Sequence, residues 1–68
     1  MMLISKERLF LSMARMCCSM KKLSALSGVS IQTLRNIKAG KTIFPETAGK
    51  IARALGVDVA DLLESKGE

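Results

Sequence analysis

Gln32, Arg35 and Asn36 lie close together in the segment Ser19–Gly40, SMKKLSALSGVSIQTLRNIKAG. Gln32 and Asn36 are four residues apart, a spacing that puts them on one side of a helix. Each amide offers a donor beside an acceptor, and the guanidinium of Arg35 offers a rigid fork of donors. Such a surface can reach base edges and phosphates, so the segment suggests DNA binding. The sequence gives little support for bond-breaking chemistry. The chain has no His, no paired carboxylates in an apolar setting, no metal-ligand cluster and no nucleotide-binding glycine loop. The expectation is a non-enzyme with no metal and no cofactor.

Two short helices joined by a tight turn at Gly28-Val29-Ser30 would hold these side chains. The first starts at the N-cap Ser19, turns Leu23 and Leu26 inward and ends at Gly28, which tolerates positive φ. The second starts at the N-cap Ser30, buries Leu34 and Ile37 and stops at Gly40. Upstream, a helix from about Ser5 to Met16 carries Leu9, Phe10, Met13, Ala14 and Cys17 at three- and four-residue spacing, which predicts one apolar stripe. Downstream, Lys41–Phe44 is a connector from which Ile43 or Phe44 plugs the core. A fourth helix begins near Pro45, buries Ala48, Ile51, Ala52 and Leu55, and closes at Gly56. Asp58 caps a short fifth helix carrying Leu62 and Leu63, with Asp61 as a weak capping-box partner. Short connections between short helices predict a compact all-α five-helix bundle.

The 68 residues make one domain, 1–68, with a frayed tail after about residue 64. A chain this short buries only about 60% of its unfolded surface. Its net charge is +5, unevenly spread: residues 1–57 carry ten Lys/Arg against two Asp/Glu, and residues 58–68 one against four. A basic body with an acidic end suits a polyanion contacted by one face. Cys17 and Cys18 are adjacent, which is neither a disulfide framework nor a zinc site, and both read as small core or near-core hydrophobes. Glu7, Arg8 and Arg15 interrupt the apolar N-terminal stretch, no small-residue cleavage site follows, and no run of about 20 apolar residues exists. The expectation is a cytoplasmic protein with no membrane partner.

The pattern LSxLSGVS–xxTLxxIxxG followed by PETAxKIAxALGVxxxDLL, spanning about Leu9 to Leu63, resembles the lambda-repressor-like, Cro-type (XRE-like) helix-turn-helix domain. Ser24, Gly28, Leu34, Ile37 and Ala54-Leu55-Gly56-Val57 carry the likeness. A bulky side chain at Ser24 would push helices two and three apart, and Gly28 permits the turn that sets their crossing.

The resemblance implies that helix three enters the major groove with helix two across the backbone. Gln32 and Asn36 are then the first expected base readers, Arg35 can read a base or hold a phosphate, and Ile31 can touch a thymine methyl or pack against helix two. The expected backbone contacts are Ser30, Lys21, Lys22, Lys38, Lys41 and Thr42. Lys21 and Lys22 oppose the dipole of helix two, at about 0.3–1 kcal/mol each, unless a phosphate reverses the sign. Relatives dimerise, which implies a weak homodimer through Val57, Val59, Ala60 and Leu63 on a palindromic operator, with no small-molecule ligand.

The sequence also departs from the family pattern. The family usually has acidic residues in the first turn of helix two and a Gln where this chain has Met20. Met13 and Lys38 replace a frequent Arg–Glu pair, so an apolar contact is expected there. Glu46 follows Pro45 where some relatives place a groove-reaching Arg, and Gly49 costs helix four about 1 kcal/mol relative to Ala. The implied function is a sequence-specific transcriptional regulator of phage or bacterial type, a repressor, associated with the nucleoid when bound. The alternative is an antitoxin-type or adaptor protein that uses the same fold to bind a protein partner.

Overall fold

The computed structural model describes residues 2–63. Four α-helices follow one another: α1 Lys6–Arg15, α2 Met20–Ser27, α3 Ile31–Lys38 and α4 Pro45–Leu55. A single 3-10 turn, Val59–Asp61, stands where a fifth helix was expected. The expected frayed tail lies outside the described residues.

Local chemistry sets the helix boundaries. Ser5, Ser19 and Ser30 are N-caps whose hydroxyls accept from the amides of Arg8, Lys22 and Thr33, each satisfying a donor that the first turn leaves open. Gly28 and Gly56 close α2 and α4 in the left-handed region. Cys17 does the same after α1, with φ 52°. Its amide donates to Ala14 O at 3.1 Å and that of Cys18 to Met13 O at 2.9 Å. This is a Schellman closure, a geometry in which glycine is the usual occupant.

The core gathers Ile4, Leu9, Leu23, Leu34, Ile37, Ile51 and Leu62 as its largest fully buried side chains. Helix α2 packs on α3 and α4, and α4 also packs on the 3-10 turn. The expected buried face of α4 is found, with Ala48, Ile51, Ala52 and Leu55 all inside. Of the two candidate plugs in the connector, Ile43 is buried and Phe44 is 65% exposed.

Several side chains expected inside lie at the surface. On α1 the core takes Leu9, Ser12 and Met13, leaving Phe10 and Ala14 exposed. The apolar stripe was wider than the buried face, and the neighbouring helices meet only one side of it. Cys17 is exposed while Cys18 is buried, because the left-handed residue ends the helical periodicity between them. On α2 the inward side is Met20, Leu23, Ser24 and Ser27, and Leu26 is 53% exposed at its edge. Met13 joins the core while Lys38 stays exposed.

The N-terminal segment accounts for the missing fifth helix. Met2 pairs with Ile43 and Ile4 with Leu63 as isolated antiparallel bridges. The Ser5 amide donates to Leu62 O at 2.7 Å. The backbone of Leu62 and Leu63 is thus committed to residues 4 and 5, and Leu62 is fully buried. Asp58 Oδ1 still accepts from Ala60 N at 2.9 Å, so the expected cap is present on a turn that goes no further. Gly49 is exposed in α4, and a Cβ there would meet nothing within 4 Å; no packing in the structure explains it.

Candidate nucleic-acid interface

Helix α3 has a buried back and a polar front. Leu34 and Ile37 anchor it, with exposures of 0% and 1%. Gln32 and Arg35 are exposed, and Ile31 and Asn36 are half-buried. Across one turn of this front, Gln32 Nε2 donates to Asn36 Oδ1 at 3.3 Å. Ser30 caps the helix, its Oγ accepting from Thr33 N at 3.2 Å and lying 3.0 Å from Thr33 Oγ1. Arg35 and Lys38 occupy the last turn, where positive charge complements the helix dipole.

The turn before α3 is fixed by two α2 hydroxyls. Ser24 Oγ donates to Val29 O at 2.6 Å. Ser27 Oγ donates to Leu23 O at 2.7 Å and accepts from Val29 N at 3.2 Å. Both backbone groups of buried Val29 are therefore satisfied from α2, so the start of α3 is tied to the preceding helix. Sequence reasoning assigned Ser24 only a small volume. The spacing of Ser24 and Ser27 just before Gly28 was the available signal for these bonds.

The expected phosphate-contacting residues come from both ends of the pair. Lys21 and Lys22 are exposed in the first turn of α2, which holds no acidic residue. Lys38, Lys41 and Thr42 are exposed beyond the front of α3. A second Schellman closure leads into this end, with Gly40 N donating to Ile37 O and Lys41 N to Asn36 O, each at 2.9 Å. Between Glu7 and Glu46 the sequence holds seven Lys/Arg and no carboxylate side chain. The side chains of this stretch therefore carry a net charge of +7.

The four residues expected at a self-association surface differ in setting. Val57 and Val59 pack half-buried against the core, Leu63 is half-buried with its backbone bridged to Ile4, and Ala60 is exposed. A groove of about 560 Å³ runs between α2 and α4, lined in part by Leu26, Gly49 and Arg53; none of the expected base or phosphate contacts lines it. Among the described residues there is no group of side chains suited to hold a metal ion, and no helix is long and apolar enough to cross a membrane.

No curated protein and no solved structure matches the chain. The Helix-turn-helix family HTH_3 matches residues 18–62, a span that begins at Cys18, covers α2 to α4 and ends at the buried Leu62. With its serine-stitched turn, buried-backed α3 and carboxylate-free basic stretch, the chain belongs to this lambda-repressor-like (XRE) helix-turn-helix family of DNA-binding regulators.

Proposed function

We propose that the chain is a sequence-specific repressor of transcription, acting as one domain over residues 1–68 in the cytoplasm and occupying a promoter with α3 in the major groove. The observation that carries this reading is the Gln32–Asn36 amide pair on the exposed side of a helix whose other side is locked into the core. The bond between them uses one donor and one acceptor. It leaves Gln32 Oε1 to accept and Asn36 Nδ2 to donate, a pattern complementary to the N6 amino group and N7 of adenine. Arg35 reads a guanine or holds a phosphate, and Ile31 meets a thymine methyl.

Backbone contacts set the register. Ser30, Lys21 and Lys22 hold phosphates at one end, and Lys38, Lys41 and Thr42 at the other; these position the domain without reading sequence. A single module of this kind buries about 600–1,000 Å², so two copies act together. Val57, Val59, Ala60 and Leu63 supply the shared surface of a weak homodimer. The operator is a palindrome with half-sites about 34 Å apart.

Binding-site selection from random duplex DNA tests the reading, with wild type and Gln32→Ala run side by side. The expected result is an enriched palindrome, relaxed at one position of each half-site in the variant. Failure to enrich any sequence, with weak and salt-insensitive binding, would overturn it in favour of a protein-binding role.

A further inference from the structure

Phe44 is the most exposed of the large hydrophobic side chains in the described structure, at 65%. Single exposed apolar residues are common and need no explanation by themselves. The position is what makes this one informative. Phe44 is the N-cap of α4, and that cap makes no side-chain hydrogen bond. Ser, Thr, Asp and Asn are strongly preferred at N-caps because they satisfy an open amide, and this chain uses Ser or Asp at its other four caps. At α4 it forgoes the cap and leaves an aromatic ring in water.

The backbone that carries the ring is held in place. Ile43 is buried and exchanges both backbone bonds with Met2, at 2.7 and 2.8 Å. Pro45 follows and restricts Phe44 to extended geometry, where it is found with φ −70° and ψ 147°. Just upstream, Lys41 N is bonded to Asn36 O. The connector from α3 to Phe44 is therefore pinned at both ends. It presents Lys41 and Thr42, both exposed, and then the ring, within the run that has no carboxylate before Glu46.

We propose that Phe44 is a DNA-contacting residue whose ring seats on the deoxyribose edge of the strand that Lys41 and Thr42 hold, fixing the C-terminal end of α3 in the groove. The inference rests on the DNA-binding reading above. The contact is apolar and independent of base identity, so it adds affinity without adding to the salt dependence.

The sequence has no Trp and no Tyr, so Phe44→Trp creates the sole indole. Its emission should change on saturation with the duplex that wild type enriches; unchanged emission overturns the proposal. Phe44→Ser restores a cap and removes the ring. Its melting temperature should rise by about 4–8 °C, while its Kd for the same duplex weakens about tenfold with an unchanged slope of log K against log salt. Lys41→Ala should instead lower that slope by about 1. Wild-type affinity in Phe44→Ser would sink this contact and leave the DNA-binding reading standing. Failure of wild type to enrich any sequence would sink both.

Discussion

Gln32 and Asn36 bond to each other across one turn of α3, Nε2 to Oδ1 at 3.3 Å. The bond joins an exposed side chain to a half-buried one. It restricts Gln32, a side chain that otherwise loses up to about 2 kcal/mol of rotamer freedom when fixed. Part of the polar surface of α3 is thus already ordered in the folded chain.

Removing either amide should cost about 1–3 kcal/mol of binding and relax discrimination at one base pair. Because the two act as a unit, Gln32→Ala with Asn36→Ala should cost less than the sum of the single changes. Competition binding on duplexes substituted one base pair at a time measures both effects. Strict additivity would show that the bond has no part in recognition.

Ser24→Ala should destabilise the fold by about 1–3 kcal/mol, since it leaves the Val29 carbonyl without the hydroxyl it accepts at 2.6 Å. The methyl group fits the space, so steric crowding between α2 and α3 plays no part. Urea unfolding should show a lower midpoint at constant m-value.

Lys21 and Lys22 should trade stability against binding. Changing both to Ala removes two exposed positive charges from the first turn of α2, which should raise stability by about 0.3–1 kcal/mol for each at low salt. The same change should reduce the salt slope of DNA binding by about 2, since each phosphate contact contributes about 0.9. An unchanged slope would remove both lysines from the interface.

Cys17→Gly should stabilise the protein by about 0.5–1 kcal/mol. Cys17 holds φ 52° with its side chain exposed, and a residue with a Cβ is strained there where glycine is not. Thermal melting should rise by several degrees, with DNA affinity unchanged. A lower melting temperature would mean that the thiol contributes contacts outweighing the strain.

The helix ends were legible because they depend on chemistry within a few residues. A hydroxyl at Ser5, Ser19 or Ser30 finds an amide three residues on, and Gly28, Gly40 and Gly56 take positive φ wherever the surrounding fold lies. The back of α3 was legible for a related reason, since in so short a helix Leu34 and Ile37 offer only one apolar side. The polar front of the candidate site follows from that back.

Long-range contact decided the rest. Phe10 and Leu26 fit the helical periodicity as well as their buried neighbours do, and only the placement of the other helices left them outside. The segment after Asp58 has a helix start, yet its backbone is captured by Ile4 and Ser5, more than fifty residues earlier in the chain. The same N-terminal segment pins Ile43 and turns Phe44 outward. Periodicity reports that a helix has an apolar side; the choice among nearly equivalent sides, and between helix and bridge, is an energy shared by residues far apart in sequence and is settled only when they meet.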